Sequence, residues 1–185
     1  MRNGLLFFIA FMISPAAFGQ ANIYEVTNGS IHFHSDAPQE LISAISKNLV
    51  GAVDISKRTF LFKVGIASFA GFNNPLQKEH FNENYMESDL YPIASYSGKI
   101  IEEIDFSKDG DYNVRAKGKL IIHGVEHQRI IKCHLICKSG QITVQSDFVV
   151  QLVDYNIKIP RIVLDKLSEE IKVSVLANLV SRPSS

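Results

Sequence analysis

The sequence predicts an all-β protein: an antiparallel sheet closed into a barrel, carrying one or two short helices. Three observations point there. Stretches of apolar/polar alternation recur along the chain, and a period of two sends one set of side chains inward. The dipeptides Asn28-Gly29, Asp109-Gly110 and Ser139-Gly140 lie between such stretches, and each permits the positive φ of a tight hairpin turn. Finally, many short strands with one polar face fit a barrel or sandwich better than an open sheet, and a barrel leaves no edge exposed.

Each element follows from its pattern. Residues 23–26 read as a first strand, and the Asn28-Gly29 turn leads into a second over 31–34. Residues 36–48 are ambiguous between helix and strand, and 54–58 read as a turn. The clearest strand then begins: Phe60, Phe62, Val64 and Ile66 alternate with Leu61, Lys63, Gly65 and Ala67, and the lysine marks the solvent side. Beyond Phe72 the period changes. Asn74-Pro75-Leu76-Gln77 has the form of a capping box with proline at the first helical position, which predicts a helix over 75–86 with Phe81 and Tyr85 on one face. Tyr91-Pro92 ends it, and a meander of strands resumes at Ala94. Its inward set comprises Tyr96, Gly98 and Ile100, then Tyr112, Val114, Ala116, Leu120 and Ile122, then Ile142, Val144, Ser146, Phe148, Val150 and Leu152. A short helical turn near 160–167 precedes a last strand over 171–179.

Residues 1–19 stand apart from this pattern. Arg2 supplies a positive start, residues 5–13 are almost wholly apolar, and Ala17-Phe18-Gly19 places small residues where a signal peptidase reads. The expected organisation is therefore a signal peptide (1–19) cleaved before Gln20, one barrel domain (20–180) and a disordered tail (181–185), with the mature protein in the periplasm of a Gram-negative cell. The apolar run is too short for a membrane anchor, so no stable membrane insertion is expected. Removal of Arg2 with the leader leaves a net charge of −1. So neutral a chain has no electrostatic footprint for nucleic acid. The oligomeric state is left open, a homodimer included.

The two cysteines, Cys133 and Cys137, fall in one strand-like run. Four residues of strand span ~13 Å, beyond the ~7 Å that a disulfide tolerates between Cα atoms, so both read as small buried hydrophobes. His32 and His34 alternate along a strand and project from one face, but a metal would need a third ligand that the neighbourhood does not offer. His123, His127 and His134 fall on the polar side of their strands. His80, beside Glu79 and Glu83, is the histidine with the best claim to a role beyond solvation. There is no nucleophile elbow, no phosphate-cradling glycine loop and no cysteine with an adjacent basic group on its own face of the strand. No catalytic residue, metal or cofactor is assigned, and the chain is not expected to be an enzyme.

The inward face is apolar and aromatic. A barrel lined in this way is either an ordinary packed core or a container for an elongated apolar ligand, and periodicity does not separate the two. The candidate ligand-binding residues are Phe60, Phe62, Val64, Ile66, Tyr96, Tyr112, Val114, Ile122, Val144 and Phe148.

Several segments resemble the YceI-like family of exported proteins: Phe69-Ala70-Gly71-Phe72; the run from His80 through Asp89 with Tyr91-Pro92; Leu120-Ile121-Ile122-His123-Gly124-Val125; and Asp154-Tyr155 with Ile157 and Pro160. They occur in the family's order, and the resemblance covers about 23–179. The resemblance implies an extended, lipocalin-like barrel with a long apolar tunnel that binds an isoprenoid chain, such as a quinone or a polyprenyl phosphate. It brings no catalytic residues. The chain has no tryptophan, so the Gly-x-Trp signature of true lipocalins is missing.

Overall fold

The computed structural model describes residues 23–182. The expected leader, 1–19, lies outside the described residues. Nine strands form one antiparallel sheet: β1 (Ile23–Asp36), β2 (Leu41–Ser46), β3 (Val50–Asp54), β4 (Thr59–Gly65), β5 (Ile93–Ile100), β6 (Gly110–Ile122), β7 (Val125–Lys138), β8 (Gln141–Gln151) and β9 (Glu170–Ser181). From β3 to β9 each strand pairs with the next, and β1 closes the ring. One edge of β1 runs along β9 from Tyr24↔Ser181 to Ser35↔Ile171. Its other edge is shared, β3 taking Ile23–Glu25 and β2 taking Ile31–Asp36. With β2 and β3 occupying one position around the ring, the fold is an eight-strand closed barrel.

Two expectations are corrected by β1. Asn28-Gly29 is not a hairpin turn but lies inside one continuous strand, where the register with β9 slips between Val26 and Asn28. Space, not a positive φ, favours glycine here: a Cβ on Gly29 would stand 2.9 Å from Val26 Cγ1 and 3.0 Å from Leu49 Cβ. Residues 41–46, ambiguous in sequence, are strand. Asp109-Gly110 is also not a tight hairpin. A long connection over 101–109 joins β5 to β6, Gly110 already belongs to β6, and Asp109 Oδ1 accepts from Ser139 N. Ser139-Gly140 does form a two-residue turn, with φ of 50° and 75°, and His123-Gly124 forms a second, with φ of 50° and 71°. Both residues positive is the type I′ pattern that matches strand twist.

The ends of the barrel differ. At the lower end are Ile23 and Arg182, the β3–β4 and β7–β8 turns and the 101–109 connection. Asp54 organises the β3–β4 turn by accepting from Ser56 Oγ and the Ser56 and Lys57 amides. Ser181 completes β9 and Arg182 N donates to Ile23 O, so the first two residues of the expected tail are held against the barrel; residues 183–185 lie outside the described residues. At the upper end the chain leaves β4 through the turn Ile66–Ser68, runs beside β2 with Ala70 bridging Ile45, and enters α1 (Pro75–His80). The capping box is present: Asn74 Oδ1 accepts from Gln77 N, while Gln77 Oε1 reaches back to the Asn73 amide. The helix ends early and widens into a π turn, Phe81–Tyr85.

Candidate functional site

Inside the barrel are two neighbouring apolar cavities, a lower lobe of about 120 Å³ and an upper lobe of about 160 Å³. They meet at Ile31, Val64, Ala94, Leu120 and Phe148, which line both. Each lobe is the size of a void that holds about one benzene-sized guest, and a dry apolar void of that kind admits only apolar occupants.

Nine of the ten sequence-derived candidates line this space. Phe60, Phe62, Tyr96, Val114 and Val144 face the lower lobe, Ile66 and Ile122 the upper, and Val64 and Phe148 both. Strand parity puts them there, except for Ile66, which is 2 % exposed in the turn after β4. Tyr112 is the exception. It has the inward parity, but it is only two residue pairs in from the lower end of β6, and its ring reaches down past Gly110 so that the hydroxyl donates to Lys108 O at 3.4 Å. Leu152, read as inward from its alternation, lines the upper lobe, but sequence periodicity missed Phe33, Phe69, Met86, Ile157 and Leu167, which also line it. Most come from the capping segments, where no period of two exists to reveal an inward face. The i, i+4 pair Phe81 and Tyr85 was legible as one helical face, and both residues line that lobe.

Four phenylalanines seal the upper end. Phe33 of β1 stacks on Phe81 at 5.3 Å and meets Phe69 at 5.4 Å and Phe72 at 6.0 Å, while Phe72 and Phe81 lie 5.1 Å apart. Such pairs add ~0.5–1.5 kcal/mol each beyond the area they bury. The capping segment is tied down from outside as well. His123, in the β6–β7 turn, sits with Nε2 2.6 Å from Glu87 Oε2 and Nδ1 3.0 Å from Tyr155 O, and its ring meets Tyr91 edge-on at 4.5 Å. His127 Nε2 bonds to Asp154 O at 2.7 Å. His123 belongs to a segment that carries the family resemblance, and the work of both histidines here is to pin three connections together.

The polar groups of the lining are few and mostly spent. Tyr96 donates to Ala116 O at 2.6 Å, and burial pushes its hydroxyl up to about 12. Ser146 donates to Lys132 O at 2.8 Å. Cys133 lines the lower lobe, Cys137 is buried below it, both thiols are free, and burial raises both. Lys63 and Ser95 also border the lower lobe. The other histidines stand apart from this space. His80 is exposed on α1, and His32 and His34 lie ring to ring at 4.4 Å on the outer wall, where burial and the second imidazole lower His32. Among the described residues no cluster of three His, Cys, Asp or Glu is placed to hold a metal, and no helix is long and apolar enough to cross a membrane.

Comparison with known proteins agrees with this architecture. The chain resembles in fold a polyisoprenoid binding domain from Saccharophagus degradans, implicated in plant cell wall breakdown, with a TM-score of 0.73 at 14% identity over 88% of this chain and 99% of that one. It also resembles Burkholderia cenocepacia BcnA (TM-score 0.63, 13% identity, 81% of this chain and 95% of that one). A third neighbour is a YceI protein of Campylobacter jejuni (TM-score 0.56, 14% identity, 100% of both chains). No curated protein matches. The sequence model of the YceI-like domain matches residues 12–179, nearly the whole chain and including part of the expected leader. The protein belongs to the YceI-like family.

Proposed function

We propose that the protein is an exported, periplasmic lipid-binding protein that holds an isoprenoid chain in the two-lobed cavity as a carrier or reservoir. Quinones and polyprenyl phosphates are the cargo classes this reading names. The observation that carries it is a pair of apolar cavities inside the barrel, one beyond the other, with Phe148 and Val64 lining both. A chain threaded through that space gains ~0.8 kcal/mol for each methylene it buries, with no fixed charge required. The likeness in fold to the polyisoprenoid binding domain of Saccharophagus degradans supports the same ligand class. A polar head would leave at the upper end, past Tyr85, with Lys78 and His80 exposed on α1 above it. The cavity offers packing rather than an array of acids, bases and nucleophiles, which favours a binding protein over an enzyme.

The lobes as they stand would take only a few isoprene units, so a longer cargo would have to part side chains such as Phe60 and Phe148. The test is native mass spectrometry of the protein purified from its own periplasm, with organic extraction of any bound mass. A stoichiometric adduct that yields a prenyl chain supports the reading. Clean apoprotein that also refuses added quinone and polyprenyl phosphate overturns it and leaves a loosely filled core.

A further inference from the structure

The connection between β8 and β9 faces two ways. Leu167 lines the upper lobe, yet five residues earlier Ile162 is 91 % exposed, and Leu164 between them is 39 % exposed. Around this apolar tip stand Lys158, Arg161 and Lys166, all exposed, and among the described residues none of the three makes a salt bridge. The one acid in that stretch, Asp165, is turned to the β1–β2 turn: its carbonyl accepts from Gln39 N at 2.8 Å and its Oδ2 lies 3.5 Å from Gln39 Nε2. An aliphatic tip within a ring of unpaired cations, on the wall of an apolar cavity, is complementary to the surface of an anionic bilayer.

We propose that the segment 158–166 docks the upper end of the barrel onto anionic lipid, with Ile162 and Leu164 entering the headgroup layer and Lys158, Arg161 and Lys166 meeting lipid phosphates. This rests on the isoprenoid reading, because a cargo of that class is supplied and received by membranes. Charge also sets the orientation. Glu79 and Glu83 are exposed on the α1 side of the same end, the wrong sign for the same surface, so contact is confined to the β8–β9 side. Two inserted aliphatic side chains and three cations give weak, salt-sensitive and reversible attachment, which suits a protein that visits a membrane and leaves it.

The experiment is vesicle sedimentation of the protein expressed from the full-length chain, with extruded phosphatidylcholine vesicles alone or containing phosphatidylglycerol. Wild type should bind the anionic vesicles, and binding should fall as salt rises. Ile162→Asp should weaken it severalfold, and Arg161→Glu with Lys166→Glu at least about tenfold, from ~1 kcal/mol per cation near the surface. Unchanged thermal midpoints would show the variants folded. Any leader still attached binds equally in all of them and cannot produce a difference between variants. Equal binding to neutral and anionic vesicles, or variants that bind like wild type, would overturn the proposal, as would capture by a protein partner with no vesicle binding at all. Prenyl content is measured on the same samples: variants that lose vesicle binding support docking even if no chain is extracted from any of them, an outcome that would count against the container instead.

Discussion

Gly98 and Gly118 stand directly opposite each other across β5 and β6, and neither has room for a methyl group. A Cβ on Gly98 would lie 2.1 Å from Lys117 O and 2.5 Å from Gly118 Cα; one on Gly118 would lie 2.2 Å from Ser97 O. These obstacles are backbone, so no rotamer change relieves them. Gly98→Ala or Gly118→Ala should destabilise the barrel by about 2–3 kcal/mol, by overpacking against groups that cannot yield. Urea unfolding checks this, with the midpoint falling while its slope holds. A shift under 0.5 kcal/mol would mean that the strands part more easily than the pairing implies.

Phe148 is the side chain whose size should matter most to binding, because it lines both lobes at their junction. Phe148→Trp should reduce the uptake of a long prenyl chain more than that of a short one, while Phe148→Ala should relax the difference. Competition binding with prenols of graded length separates these outcomes. A variant that changes all lengths equally would mean that ligand does not pass the junction.

The His123–Glu87 pair predicts a local effect. His123 is 9 % exposed in its side chain and faces two oxygen acceptors, so His123→Ala deprives both and should cost about 1–3 kcal/mol. Its particular signature is amide exchange. Protection should drop over 81–91, which Glu87 ties down, and less in β7 and β8. Uniform loss would make the pair an ordinary core contact.

Tyr96 predicts an alkaline limit. Its hydroxyl titrates near 12 in the folded barrel, above the ordinary tyrosine value of 10.0, because burial disfavours the phenolate. The unfolded chain therefore loses this proton first as pH rises. The contribution is complete below pH 10 and is lost as pH climbs towards 12. Tyr96→Phe should remove that part of the high-pH fall in thermal midpoint; an identical pH profile in the variant would assign the fall to other groups.

Much of the barrel wall was legible in the sequence because alternation is a local signal. Phe60, Phe62 and Val64, or Ile142, Val144 and Ser146, announce their face without reference to any partner strand. The capping box at Asn74 was legible for the same reason. Asn28-Gly29 was misread because a turn dipeptide permits a turn without requiring one. The pairing of β1 with both β3 and β2 on one edge, and β9 on the other, outweighs that local preference. Asp109-Gly110 misled similarly, since Asp109 is occupied by the Ser139 amide. The upper lobe was least legible. Its wall includes Phe69, Ile157 and Leu167 from turns and connections, whose inward direction depends on distant pairings and leaves no periodic trace. Tyr112 shows the converse limit: parity gives the side of the sheet, but not whether a long side chain bends over the rim.

The ring is completed by its first and last strands, from Tyr24↔Ser181 to Ser35↔Ile171. A chain made or passed through a pore from its amino end therefore carries β1 without its long partner until nearly every other residue has emerged. Contacts so distant in sequence form slowly, since the loop entropy must be met before they contribute. Until then the half-built wall has open edges and an exposed apolar inner face, the features that chaperones recognise and that promote aggregation. Truncation within 171–181 should accordingly yield not a weaker barrel but an open, association-prone sheet.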